Sequence, residues 1–150
     1  MSEREQPEQA LIVLKSDALD RDLEDEILSR IQDAGLEIVR LETVDADREL
    51  IAEHYREHQG KAFYPPLVDY MTDTVLAGIV EGDDAAARMR ELAGDTEPVS
   101  ADAGTIRGDL GDDSYEQADA EDRALRNLVH ASEPGAAERE LALWSDHRDE

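Results

Sequence analysis

Asn127-Leu128-Val129-His130-Ala131-Ser132-Glu133 sets a short apolar run directly before a group of small polar residues. The run reads as a buried strand, Asn127 to Ala131, that carries a histidine to a loop. Counting it as the last strand fixes the order of everything before it. Ala10-Leu11-Ile12-Val13-Leu14 is a continuous apolar stretch of strand length that ends at Lys15-Ser16-Asp17. A second strand runs from Leu36 to Val44, its alternation slipping once near Val39, and Thr74 to Val80 supplies a third. Between strands the apolar residues take helical spacing. Leu23, Ile27, Leu28 and Ile31 predict a helix from Asp20 to Ala34, stopped by Gly35. Asp45 or Asp47 caps a helix to about Gln59, Pro65 and Pro66 open a short one, and Asp83 caps one through Leu92, ended by Gly94. Asp95 to Leu110 reads as a long loop. Gly111 to Arg126 is acidic, with a helix from about Glu116, and Pro134 begins a last helix reaching Trp144. The order is that of an α+β, ferredoxin-like βαββαβ fold, a four-stranded antiparallel sheet covered by helices on one face. It forms a single domain over residues 1–150, with 1–8 flexible.

The chain carries 39 acidic residues against 15 basic ones, a formal net charge of −24. A surface this negative repels phosphate backbones, which argues against a nucleic-acid partner. Such acidity suits either a disordered, solvating chain or a folded protein adapted to concentrated salt, where the screening length shrinks to about 3 Å at 1 M. The carboxylates here alternate with periodic apolar residues, which favours the folded reading and predicts loosening at low salt. There is no cysteine, hence no disulfide and no thiolate metal site. The polar start, Met1 to Glu8, is no secretory signal, and no apolar run approaches the roughly 20 residues of a membrane span. A cytoplasmic protein without a membrane partner is expected.

His130 alone among the four histidines has strand-like apolar residues on one side and small polar ones on the other. A buried structural histidine and a nucleophile both fit that position. Lys15, Arg90 and Arg107 fall at element ends or in the loop, where they could converge near it. Arg90, with Arg88, also suits a plain helix C-terminus. Together the cations could bind a polyphosphate and stabilise charge on a transferring phosphoryl group. A neutral imidazole is a competent nucleophile for that group and a good leaving group afterwards. Glu140, on the last helix, could hold the second ring nitrogen and fix the tautomer. Neither GxxxxGK[ST] nor GxGxxG nor GxSxG occurs, so any phosphate falls to side chains. His54 and His58 have zinc-ligand spacing, but no third ligand accompanies them in sequence and HExxH is missing, so no protein metal site is expected.

From Ala10 to Trp144 the chain resembles the nucleoside diphosphate kinases. The pieces that carry the likeness are Val13-Leu14-Lys15-Ser16-Asp17-Ala18, His54-Tyr55 through Phe63 to Tyr70-Met71, and Glu81-Gly82. They continue with Gly94-Asp95-Thr96, Gly104-Thr105-Ile106-Arg107-Gly108-Asp109, Asn127 to Ser132, and Glu140 through Trp144. The resemblance implies transfer of a γ-phosphate from a nucleoside triphosphate to a nucleoside diphosphate through a phosphohistidine, with Mg2+ on the nucleotide. It implies His130 as nucleophile through Nδ1, Glu140 steadying the other nitrogen, and Ser132 supporting that contact. Lys15, Tyr55, Arg90, Thr96, Arg107 and Asn127 are implied to contact phosphates and sugar, and Phe63 to stack on the base; Tyr55 and Phe63 also suit a core. Ser16 stands where the family has a proline, Glu97 where it has an asparagine, and Glu133 where it has an aspartate. An acidic stretch lengthens the loop before Asn127, Pro134-Gly135 is a short turn, and the extension beyond the tryptophan is missing. These features imply a halophilic archaeal member and a homo-oligomer, hexamer or dimer. A second reading is a catalytically inactive nucleotide-binding or assembly module of the same fold.

Overall fold

The computed structural model describes residues 8–61, 64–121, 123–132 and 135–148, the side chains of 58 and 145–148 excepted. Strand β1 spans Glu8–Leu14 and is followed by α1 (Ser16–Asp20), α2 (Glu24–Asp33) and β2 (Glu37–Asp45). Then come α3 (Arg48–His54), α4 (Tyr64–Met71), β3 (Thr74–Gly82) and α5 (Ala85–Ala93). The chain closes with α6 (Ile106–Leu110), α7 (Tyr115–Ala120), β4 (Val129–Ala131) and α8 (Ala137–Arg148). The strands form one antiparallel sheet in the order β2-β3-β1-β4, the expected ferredoxin-like arrangement.

Helices cover both faces of this sheet, not one. Ala10, Ile12 and Leu14 of β1 pack with Ile27, Ile31 and Met89 from α2 and α5. Leu11 and Val13 face the other way, against Ile51, Val68, Met71 and Trp144. The five residues from Ala10 to Leu14 are at most 2% exposed. An uninterrupted apolar run, unlike an alternating one, is the mark of a strand buried on both sides. β1 is thus the central rod of the molecule, and β4 pairs with it so that His130 lies opposite Val13.

Several boundaries differ from the expected ones for local reasons. The helix expected over Asp20 to Ala34 is two helices, broken where Asp22 takes the left-handed conformation at φ 59°. There the Leu23 amide reaches back to the Ala18 carbonyl at 2.9 Å, ending α1. The slip near Val39 is a bulge between Ile38 and Arg40. Asp47 caps α3, accepting from the Leu50 amide at 2.9 Å, and α3 stops at His54 before a 3-10 turn, Arg56–His58, rather than running to Gln59. Asp84, not Asp83, is the cap position of α5.

The stretch expected as loop holds a 3-10 turn, Pro98–Ser100, and α6, whose cap Thr105 accepts from the Gly108 amide at 3.0 Å. In the acidic segment before Asn127, Asp113 accepts from Arg123 at 2.7 and 2.9 Å and from the Arg126 amide at 2.7 Å. The Arg123 pairing comes first among the causes that hold this carboxyl at about 2. Strand β4 begins at Val129 because Leu128 turns left-handed. The expected helix start, Pro134, and residues 1–7 of the segment expected to be flexible lie outside the described residues, while Glu8, the last residue of that segment, opens β1 by pairing with Gly82.

Candidate active site

His130 projects from β4 beside the N-terminal half of α8. Its Nε2 lies 2.9 Å from Glu140 Oε1, and the Ser132 hydroxyl donates to the same oxygen at 2.7 Å. Ser132 is itself fixed by accepting the Leu11 amide at 3.1 Å, so the central strand aligns the pair. Glu140 is ionised. Burial, the largest influence on it, pushes its carboxyl up, but the donors from His130 and Ser132 and the two nearby imidazoles hold it at about 2. A carboxylate only accepts, so the proton of the His130 ring sits on Nε2 and the lone pair on Nδ1. Burial lowers the His130 pKa below its ordinary 6.5, with Lys15 and Arg107 pushing the same way against Glu140. The ring is therefore a neutral imidazole at neutral pH.

The two arginines are held by main-chain carbonyls around the strand, and Lys15 by the side-chain oxygen of Asn127. Arg107 donates to Asn127 O at 3.1 Å, Gly94 O at 2.9 Å and Val129 O at 2.6 Å. Arg90 donates to Ala131 O at 3.3 Å. Lys15 Nζ donates to Asn127 Oδ1 at 2.7 Å, and Asn127 in turn donates to Thr96 O at 3.0 Å. Lys15 is only 5% exposed; burial, aided by Arg107, lowers its pKa to about 7. Burial and Arg90 likewise bring Arg107 to about 10. These cations lie in a low-dielectric site where a phosphate would find them little screened by water.

The turn that aims Lys15 closes without a proline at Ser16. Amides of Ala18 and Leu19 bond the Lys15 carbonyl at 3.0 and 3.2 Å, and the Lys15 amide bonds Leu128 O at 2.8 Å. Asp17 accepts from the Leu128 amide at 3.1 Å and from the Tyr70 hydroxyl. Leu128 is thereby pinned at φ 73°, a conformation that costs a bulky residue about 1–2 kcal/mol. Its side chain is 1% exposed in the core, so packing offsets that strain. Gly94 is required where it stands: a Cβ there would lie 2.5 Å from Thr105 Oγ1. Its φ of 92° and ψ of −174° belong to a region essentially reserved for glycine.

His130, Glu140, Ser132, Lys15, Asn127, Thr96, Arg90 and Arg107 thus form one connected set. Tyr55 joins it through its ring, 6.2 Å from that of His130 and near perpendicular to it. Burial raises the Tyr55 hydroxyl, which stays neutral. Phe63 lies outside the described residues. Sequence reasoning missed His54, Trp144, Tyr70 and Asp17 as parts of this site. His54 lies on the inner face of α3 at helical spacing from Leu50 and Ile51, a pattern visible in the sequence. Its partner Trp144 is 90 residues away, and no local pattern joins the two.

The expectation that His54 lacks companion ligands needs correction. The structure sets it beside His130 and Glu140, with one ligand atom from each within 4.8 Å of the others. A two-histidine, one-carboxylate set is a donor set used by zinc. However, the Trp144 indole N–H donates to His54 Nδ1 at 3.0 Å. An indole only donates, so His54 carries its hydrogen on Nε2, the nitrogen that faces Glu140. That nitrogen offers a proton, and no lone pair, to the cluster.

A family model described as nucleoside diphosphate kinase matches residues 8–149. The chain belongs to the nucleoside diphosphate kinase family. It is 43% identical over 141 residues to the nucleoside diphosphate kinase of Thermococcus kodakarensis, covering 93% of this chain and 77% of the relative. With that of Mycobacterium marinum it shares 44% over 140 residues, 91% and 96% of the two chains. Among solved structures, a transition-state mimic of the Borrelia burgdorferi nucleoside diphosphate kinase with vanadate and ADP superposes with a TM-score of 0.87. That pair is 29% identical, with 93% and 87% of the chains covered. A halophilic nucleoside diphosphate kinase from Halobacterium salinarum in complex with CDP gives 0.82 at 37% identity, covering 92% and 87%. The activity of this family member is phosphoryl transfer between nucleoside tri- and diphosphates.

Proposed function

We propose that the transfer runs in two half-reactions through His130. In the first, Nδ1 attacks the γ-phosphorus of a nucleoside triphosphate; the Nδ1–P bond forms, and the bond to the β–γ bridging oxygen breaks. The diphosphate leaves with that electron pair. In the second, a terminal oxygen of another nucleoside diphosphate attacks the same phosphorus, and the pair of the Nδ1–P bond returns to the ring. The observation that carries this reading is the 2.9 Å contact of Nε2 with Glu140, because it leaves the opposite nitrogen as the lone pair. As the ring gains positive character on phosphorylation, the ionised Glu140 stabilises it across that bond. Lys15, Arg90 and Arg107 neutralise the phosphates, and Asn127, Thr96 and Tyr55 contact phosphates and sugar. Phe63 stacks on the base, a contact that would accept any base, since every base has a π-face. A module that only binds nucleotide has no use for the histidine–carboxylate pair.

Mg2+ comes with the nucleotide and offsets phosphate charge. Two carboxylates of the site are already engaged, which supports this assignment: Glu140 by His130 and Ser132, and Asp17 by Leu128 and Tyr70. Substrates are nucleoside di- and triphosphates, in line with the CDP and ADP held by the related structures; a nucleic-acid partner does not suit the acidic surface. The protein acts as a homo-oligomer in the cytoplasm. The outer strand β2 supports association, as Val39 and Leu41 on it are 41% and 39% exposed beside an edge that a second chain can cover. Among the described residues no helix is long and apolar enough to cross a membrane.

The test is labelling with γ-labelled ATP followed by transfer to GDP. Wild-type protein is expected to take up label in an acid-labile, alkali-stable form, and His130→Ala to abolish uptake and transfer together. Label that survives the substitution would overturn the assignment.

A further inference from the structure

We propose that Trp144 and His54 form a positioning chain behind Glu140, which holds the carboxylate in line with His130. The proposal rests on the reading of His130 as nucleophile. Glu140 and Trp144 are four residues apart on α8 and so project from one face of it. His54 reaches them from the C-terminal end of α3, and His54 and Trp144 are 4% and 3% exposed. The indole N–H enters His54 Nδ1 at 3.0 Å, which leaves the hydrogen on Nε2. That nitrogen lies 3.9 Å from Glu140 Oε2, while Oε1 receives His130 and Ser132. The His54 ring also stands edge-on to His130, with centroids 4.6 Å apart.

Two consequences follow from this geometry. The His54 N–H dipole, 3.9 Å from the far oxygen of the carboxylate, resists rotation of that group about its side chain. Oε1 therefore stays aligned with His130 Nε2 while the ring takes up and releases a phosphoryl group. In addition, a neutral His54 leaves the carboxylate charge to His130. A cationic His54 would draw Glu140 into a competing ion pair. Burial first, then the positive side of His130, keeps His54 neutral with a pKa near 3. The charged and titratable groups that face it are Glu140 and Arg139 from α8, His130 from β4, Lys15 at the turn between β1 and α1, and Tyr55 just past α3. His54 and Trp144 touch neither of the reacting atoms; they act through Glu140.

The experiment combines nitrogen NMR of histidine-labelled protein with steady-state kinetics of three variants. Nδ1 of His54 should show the unprotonated signature and Nε2 the protonated one, unchanged between pH 5 and 8. His54→Phe keeps bulk but loses the bond from Trp144 and the polar contact with Glu140. It should lower kcat about tenfold or more, at unchanged KM for nucleotide, and move the acid limb of the pH profile. His54→Gln offers an acceptor to Trp144 and a donor to Glu140, and should recover most of the loss. Trp144→Phe should free the His54 tautomer into a mixture.

A protonated Nδ1 in the wild type would overturn the proposal, whether or not the variants fold. So would a His54→Phe enzyme with wild-type kcat and pH profile. A wild type that takes up no phosphate defeats the reading of His130 and this proposal with it. A normal wild type beside an unaffected His54→Phe defeats this proposal alone.

Discussion

In the proposed mechanism the chemistry turns on which nitrogen of the His130 imidazole keeps its proton, and Glu140 decides it by accepting from Nε2. The same contact sets the pH dependence. His130 titrates below its ordinary 6.5, and its protonated form has no lone pair on Nδ1. The rate of phosphorylation should therefore hold through neutral pH and fall only below that value, as rapid-quench measurements of the first half-reaction will read. On the alkaline side Lys15 matters. With its pKa lowered to about 7 in the free protein, its ammonium is lost as pH rises, and nucleotide should bind less tightly above pH 7 than below it. The folding linkage has the opposite sense. Native Lys15 releases its proton near 7 and an unfolded one near 10.5, so burying this lysine costs most below pH 7 and less as pH rises between the two values. Lys15 stands out in the sequence as a polar side chain at the end of an apolar run, Arg90, Arg107 and Glu140 by their places at a helix end, in the loop and on the last helix, and Asn127 only through the family resemblance. The hydrogen bonds that make Arg107 a clamp on three carbonyls do not, since main-chain acceptors carry no sequence signature.

Among the elements, β1 was the easiest to read and the most consequential. Its unbroken apolar run announces burial on both faces, and the helices on either side follow from that. The run was read as a strand but not as a two-faced one, so helices were expected on a single face. Short elements were illegible for a different reason. α6 has five residues with Gly108 among them, too few for a period to show. What fixes it is tertiary: Thr105 caps α6 and packs on Gly94, whose carbonyl holds Arg107. Gly94→Ala should therefore act at two levels. The glycine-only backbone costs about 1–3 kcal/mol, and the contact with Thr105 adds to it. Denaturant unfolding should show the loss of stability, and nucleotide affinity should drop with it because Arg107 loses its Gly94 anchor. An unchanged unfolding midpoint would contradict the packing described.

At the scale of the whole molecule the dominant quantity is a formal charge of −24 on 150 residues. Self-repulsion of that size opposes the compact state, and salt screens it, with a Debye length of about 10 Å at 0.1 M and about 3 Å at 1 M. Thermal unfolding followed across that range should show Tm rising with salt; a flat or falling Tm would remove the case for adaptation to brine. The acidic surface also sharpens the contrast with the site, where Lys15, Arg90 and Arg107 are gathered by carbonyls of β4 and the residues flanking it. On the proposed function, that gathering draws a polyphosphate to His130 rather than elsewhere on a repelling surface. The most direct test is phosphorus–nitrogen NMR of the protein phosphorylated by ATP, with its histidines nitrogen-labelled. Phosphorus coupled to Nδ1 of His130, with hydrogen retained on Nε2, is the predicted result. Phosphorus on Nε2, or on any other residue, would contradict the account.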